Sequence, residues 1–529
     1  MPASRGFLLL VGVIVLAVTA IACEGETPPP STATATLAPS NPTETPDQQS
    51  EVPVFDAAEC QFEVPAGRTV ECGYLTVPED RSQPDVPTIR LHVAIFRTQN
   101  DYPAPDPIVY LAGGPGENSL KAVPLVFDLR FAPLLTNRDF IMFDQRGVGY
   151  SEPALDCPEL TQVAYDTIDE HLSAEESVAL RTEAVSKCHD RLVSEGVNLA
   201  AYTSAESAAD VNDLRRALGY EEWNLHGASY GTKLALTTMR DFPDGIRSVV
   251  LDSSYPLQVD LYAETPANAA RASAVLFDGC AADVACDSAY PELETVFFEV
   301  VEELNETPAT VSLTNPLTAE TFENALVSGD VVIGFLFQSL YSAELIRLLP
   351  RIIYDAHSNS FDLMALILGS LLANVDFVSM GMQLSVQCGG EVAFSSEEEI
   401  AAGLEAYPKI RDFFDGATTS GRAMLTLCQI WGAKEAAPIE NEPVSSDIPA
   451  LVLSGEYDPI TPPAWGELVA ENLDNSFYFE FPGLGHHVSI SHECPLRMTL
   501  AFIDGPTTRP DASCLAAMTG PGFALPSGR

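Results

Sequence analysis

Residues 223–232 read Trp-Asn-Leu-His-Gly-Ala-Ser-Tyr-Gly-Thr, a mostly apolar run that ends in G-x-S-x-G. Small residues at Gly227 and Gly231 permit a sharp strand-to-helix turn, which lifts the hydroxyl of Ser229 above the sheet as a nucleophile. Alone, the pattern also describes an ordinary glycine turn. Two residues further along the chain give it weight. Asp458 stands after the apolar run 451–453, and His486 stands after the strand expected over residues 477–481. An imidazole titrating near neutrality can take a serine proton and return it to a leaving group, while a carboxylate fixes its tautomer and stabilises the imidazolium. Ser229, Asp458 and His486 are therefore the candidate catalytic residues, in the chain order Ser, Asp, His. His486 is preferred to His487 because it directly follows the glycine turn at Gly485.

A fourth element is the loop Ala112-Gly113-Gly114-Pro115-Gly116, which comes after the apolar run 108–111. With almost no side chains it exposes backbone N–H groups, and those of Gly114 and Tyr230 are the candidate oxyanion donors. The turn at residues 144–151, Asp-Gln-Arg-Gly-Val-Gly-Tyr-Ser, reads as a charged brace for the site.

The elements that must position these groups are set by periodicity. Thr203 and Glu206 have capping-box spacing, Ala208, Val211, Leu214 and Leu218 recur at helical intervals, and Gly219 closes the helix. Residues 89–96 alternate apolar and polar, and short apolar runs at 108–111, 140–143, 223–226, 249–251 and 451–453 end in turn signals, with helical segments between the later ones. This rhythm predicts an α/β fold: a mostly parallel sheet with flanking helices, whose ligands lie at the carboxyl ends of the strands. The rhythm stops at 260–446. There, residues 331–349 and 361–382 show long apolar, helix-like patterning interrupted by Glu344, Arg347 and Asp376, which argues against membrane spans. The expected organisation is a first core part at 56–259, a largely helical lid insertion at 260–446 and a second core part at 447–529.

The N-terminal region reads differently. Residues 7–22 form an apolar run of signal-peptide length, and Ala20-Ile21-Ala22-Cys23 resembles a bacterial lipobox, making Cys23 the candidate lipidation site. Residues 23–55 are Thr/Pro-rich and read as a disordered tether. The expected location is the outer face of the cell membrane, with contact to the membrane only through this lipid, or secretion. Removing Cys23 from the 11 cysteines leaves an even ten. The simplest pairing joins Cys60 to Cys72, Cys157 to Cys188, Cys280 to Cys286, Cys388 to Cys428 and Cys494 to Cys514, although ten cysteines allow other connectivities. Neither a C-x-x-C nor a histidine cluster points to a metal, and no cofactor is expected. With 75 acidic against 27 basic residues, the formal net charge of −48 makes nucleic acid an unfavourable partner.

The chain resembles the prolyl aminopeptidase and tripeptidyl aminopeptidase branch of the α/β-hydrolase fold. The residues carrying the resemblance are 72–78, Gly113 to Gly116, 144–149, 223–232, Asp458 with Thr461-Pro462-Pro463, and Gly485-His486, together with Cys428 and Trp431. The resemblance implies release of single residues or short peptides from the N-terminus of peptide substrates, through an acyl-enzyme on Ser229. Ala112 replaces the His that often precedes Gly-Gly-Pro-Gly in prolyl aminopeptidases, a difference that bears on specificity. Recognition of a free ammonium calls for a carboxylate in a partly apolar cleft. Glu391 is the first candidate and Glu117, just after the oxyanion loop, the second. An esterase acting on small apolar esters would use the same residues, and a non-catalytic surface-binding protein is the other alternative.

Overall fold

The computed structural model describes residues 53–83, 86–416 and 421–526. The expected signal peptide, Cys23 and nearly all of the expected tether lie outside them. The strand β1 (Val54–Ala58) begins within the stretch expected to be tether.

The strands β2 (Thr69–Pro78), β3 (Thr88–Arg97), β4 (Ile108–Leu111), β5 (Phe140–Phe143), β6 (Trp223–Ala228) and β7 (Ile246–Asp252) come before the insertion. A separate hairpin, β8 (Ala309–Thr314) and β9 (Thr321–Val327), lies inside it, and β10 (Ala450–Gly455) and β11 (Ser476–Phe481) come after it. Among the described residues, nine of these strands form one sheet in the order β1-β2-β3-β5-β4-β6-β7-β10-β11. The pairs from β1 through β3 to β5 are antiparallel, and those from β5 onward are parallel. Every residue of β4, β5, β6 and β10 is buried, because the sheet is covered on both faces. Alternate residues feed two cores. Val109, Leu111, Ile141, Leu225 and Val452 pack on one face, and Ile108, Tyr110, Phe140, Leu451 and Leu453 on the other.

The helix Ser204–Leu218 starts as its sequence requires, with the Thr203 side chain accepting from the Glu206 N–H, and stops at Gly219 with φ 75°. Only half of the expected capping box forms, because the Glu206 carboxylate turns to Arg81 at 2.7 Å.

Between β7 and β10 the chain is largely helical. The two long apolar segments are divided rather than continuous. The first becomes the helices Gly329–Ser339, Ala343–Ile346 and Leu349–His357: the Ser342 side chain caps a fresh start, and Pro350 falls in the first turn of the last helix, where its missing N–H costs nothing. The second becomes Asp362–Leu372 and Met380–Gly390 around the 3₁₀ turn Ala373–Phe377. The hairpin β8–β9 is an addition to the helical pattern expected there. No helix of the described residues is long and apolar enough to cross a membrane. All five expected disulfides are formed: Cys60–Cys72, Cys157–Cys188, Cys280–Cys286, Cys388–Cys428 and Cys494–Cys514.

Candidate active site

Ser229 sits between β6 and the helix Tyr230–Asp241 with φ 55° and ψ −126°, outside the conformations a residue with a side chain normally adopts. Three hydrogen bonds hold it there. Its N–H donates to the Asp252 carbonyl at 3.0 Å, and its carbonyl accepts from the Thr232 N–H at 2.8 Å and hydroxyl at 2.7 Å. The two glycines are required by packing: a Cβ on Gly227 would run into the Gly231 carbonyl, and one on Gly231 into the Leu111 carbonyl. Ser229 itself remains partly exposed.

Asp458, in the loop after β10, is fully buried with both oxygens occupied. Oδ1 accepts from the N–H groups of Ile460 at 3.0 Å and Thr461 at 2.9 Å. Oδ2 accepts the Thr461 hydroxyl at 2.7 Å and lies 2.8 Å from His486 Nδ1. Burial works to raise the pKa of this carboxyl, but the charge and hydrogen bond of His486, with the bonds from Thr461, hold it below the ordinary range. His486 is the mirror case. Burial disfavours its protonation, yet the charge and hydrogen bond of Asp458, with the charges of Asp252 and Glu117 behind them, carry its pKa above the usual histidine value. The structure thus brings the expected acid and histidine together. Thr461 touches both, at 2.7 and 3.1 Å, a role that sequence reasoning missed; the signal for it is its place directly after the Asx turn that Asp458 makes with the Ile460 N–H.

His487 is placed differently. It adopts φ 63°, its N–H donates to Ser253 Oγ at 2.8 Å, and its buried Nε2 has no hydrogen-bond partner. Burial pushes its pKa well down, with Arg130 and His486 adding to the effect. Its nearest acid, Asp252, is 4.0 Å away. Of the two histidines, His486 alone meets an aspartate at hydrogen-bond distance.

The glycine loop closes the other side. Gly113 packs directly against Ser229, since a Cβ there would stand 3.0 Å from Ser229 Cβ, and Gly114 takes φ 103°, which glycine adopts without strain. The turn 144–151 does brace this loop: Gln145 Nε2 donates to the Ala112 carbonyl at 3.0 Å, and buried Arg146 grips Asp210 at 2.7 and 2.8 Å. Tyr230 opens its helix, so its N–H has no partner within that helix.

The insertion reaches the same place. The Ser379 N–H donates to the Gly116 carbonyl and the Asn118 N–H to the Phe377 carbonyl, both at 2.8 Å, while Ser379 Oγ donates to Asp156 at 2.6 Å. Tyr341 lays its ring 4.8 Å from that of His486 and accepts the His486 N–H at its carbonyl at 3.0 Å. Gly485 is required there, because a Cβ would collide with the Leu340 carbonyl.

The two candidate substrate acids separate. Glu391 is 5% exposed and forms an ion pair with Lys233, itself 3% exposed, on the helix that Ser229 introduces. Its charge is already met, which corrects the expectation that it offers a free carboxylate to an ammonium. Glu117 lies near Ser229 instead: its Oε2 stands 3.5 Å from the same Gly113 Cβ position that touches Ser229. Burial raises its pKa, with the Gly113 N–H and the charges of His486 and Arg130 opposing, and among the described residues it has no ion-pair partner.

Strand-end placement of a serine elbow, an aspartate–histidine pair and a glycine loop on this sheet defines an α/β hydrolase. Residues 106–284 match the alpha/beta hydrolase fold family, and residues 415–514 match the family described as TAP-like protein. The chain is a hydrolase of that fold, and the curated proteins it resembles include a serine protease and aminopeptidases. It is 25% identical to serine protease Hip1 of Mycobacterium tuberculosis over 86% of this chain and 88% of that protein. It is 30% identical to a tripeptidyl aminopeptidase of Streptomyces lividans over 38% of each, and 25% identical to a proline iminopeptidase of Arabidopsis thaliana over 31% of this chain and 30% of that one.

Proposed function

We propose that the protein is an exported serine peptidase that removes residues or short peptides from the N-terminus of peptide substrates through an acyl-enzyme. Ser229 is the nucleophile. His486 takes its proton as general base and delivers it to the departing amine, and Asp458, buried and fixed by Thr461, holds Nδ1 so that Nε2 is the basic atom. The N–H groups of Tyr230 and Gly114 receive the oxyanion. Glu117 accepts the substrate's ammonium: a half-buried carboxylate without a cation, next to the nucleophile, gains most from one. The insertion at 260–446 acts as the lid, and Tyr341 forms the wall of the cleft over His486.

The observation that carries this reading is the 2.8 Å pair of His486 and Asp458, with Ser229 at positive φ at the end of β6, in a chain that is similar to serine protease Hip1 over most of its length. Export and lipid attachment at Cys23 rest on the N-terminal sequence and on five disulfides, which persist in oxidising compartments. The deciding experiment is hydrolysis of matched free-amine and N-acetylated peptide amides beside short acyl esters. Acetylation is expected to lower kcat/KM by about 10-fold or more, the ~1.4 kcal/mol of one lost polar contact. Equal rates on both peptides with faster turnover of esters would reject the aminopeptidase reading in favour of an esterase. Intact mass of the native protein tests the anchor, which requires lipid on Cys23 as the first residue.

A further inference from the structure

Six non-glycine residues among those described have positive φ, and three of them, Ser229, Ser253 and His487, are linked around one residue, Asp252. Such conformations are costly and persist only where their surroundings over-determine them. Asp252, at the end of β7 and fully buried, supplies that surrounding. Its carbonyl accepts the Ser229 N–H at 3.0 Å. Its carboxylate takes the Val488 N–H at 2.7 Å, the Ser489 N–H at 2.8 Å and the Ser489 hydroxyl at 2.5 Å. The next residue, Ser253, accepts the His487 N–H at 2.8 Å. Behind them His226, whose pKa burial pushes down to about 4, lies 2.9 Å from the Ser489 hydroxyl at Nε2. As the hydroxyl donates to Asp252, the neutral imidazole is its donor. Three consecutive residues after His486 are thus tied to the end of one strand, while His486 itself is tied by its side chain to the next.

We propose that Asp252, with Ser253, is the positioning clamp of the histidine loop, holding residues 487–489 so that the His486 imidazole stays in register with both Asp458 and Ser229. This rests on the reading of Ser229 and His486 as nucleophile and base. Asp252 does not touch the reacting atoms; it acts through the loop and through its charge. The groups facing His486 are Asp458 by direct contact, Asp252 and Glu117 through space, the neighbouring His487, Thr461 and the ring of Tyr341.

Asp252→Asn removes the charge and leaves one acceptor oxygen for three donors. Turnover is best measured on a short acyl ester, so that failure of the aminopeptidase reading leaves the test intact. The variant is expected to lose about 10-fold or more in kcat with KM within about twofold. The acid limb of kcat/KM against pH is expected to move to lower pH, because a negative charge that favours the imidazolium has gone. Ser253→Ala keeps the charge and removes the acceptor of the His487 N–H together with the 3.4 Å hydroxyl donor to Asp252 Oδ1, so kcat is expected to fall about threefold with the limb in place. A folded Asp252→Asn protein with kcat within about twofold of the parent and an unmoved limb overturns the proposal. If that variant does not fold, Ser253→Ala decides: an unchanged kcat overturns the clamp, and a reduced kcat with an unmoved limb supports it. His486→Ala, measured alongside, separates the two levels, since substantial turnover there removes the base on which the clamp acts and overturns both.

Discussion

The sheet and the insertion contribute to this site by different physics. Every group assigned a chemical step stands in a short loop at the carboxyl end of a parallel strand: Gly114 after β4, Ser229 after β6, Asp458 after β10 and His486 after β11. Chain neighbours help to fix them, as with Thr461 on Asp458 or Gly231 behind Ser229, and contacts between neighbouring strand ends complete the arrangement, as with Asp458 on His486. The insertion contributes nothing of that local kind. Tyr341 over His486, Ser379 on Gly116 and Glu391 on Lys233 are contacts between residues more than a hundred positions apart, each made when a helix end lands on the core. On the proposed reading the core carries the chemistry, and the insertion determines what reaches it.

That division is easiest to break with Ser229→Ala. It is expected to lower kcat by at least about 10⁴-fold with an unchanged melting temperature, and Asp458→Asn and His486→Ala should also be severe. Near-normal turnover by folded Ser229→Ala protein would take the chemistry away from the sheet.

The next largest effect is expected at the junction. Lys233→Met strands the Glu391 carboxylate in a site that is 4% exposed at its side chain, and should cost about 3–5 kcal/mol of stability in a denaturant titration. Activity per folded molecule should change far less. If activity collapses while stability holds, the ion pair belongs to the chemistry rather than to the docking of the insertion.

Removing the Cys60–Cys72 bridge, with a sequence separation of 12, should cost about 2–3 kcal/mol in the chain-entropy model and leave kcat unchanged, because it staples β2 far from the strand ends that hold the triad. Glu117→Gln should act in the opposite sense, leaving stability nearly untouched. It is expected to erase most of the roughly 10-fold preference for free over acetylated peptides. A retained preference would move ammonium recognition to the insertion.

The smallest effect is a displacement in pH. His486 must be neutral to accept the serine proton, and its pKa lies above the usual histidine value, so kcat/KM should fall on the acid side with a midpoint above about 6.5. The pH–rate profile of the parent reads this directly. A midpoint well below the ordinary value would mean that burial, not Asp458, dominates the imidazole.

Much of this was legible in the sequence because it is local. The elbow declares itself through two glycines that a Cβ would drive into carbonyl oxygens, the helix before it through Thr203 and Gly219, and strands such as β4 and β5 through apolar runs that a doubly covered sheet buries. The order Ser, Asp, His and the five cysteine pairs come from one-dimensional spacing in the same way.

Only the tertiary structure decided the rest, because burial and charge pairing are properties of what lands opposite. Nothing near Glu391 in the chain announces Lys233, 158 residues away, so a carboxylate that looked available was already neutralised. Residues 331–349 and 361–382 are apolar enough for two long helices, but Ser342, Pro350 and a 3₁₀ turn divide them. Asp252 ends an ordinary buried strand, and its grip on residues 488–489 exists only because β7 and β11 finish at the same edge of the sheet. Spacing along the chain set which residues could do chemistry; the packing of strand ends and insertion determined which of their charges were still free to do it.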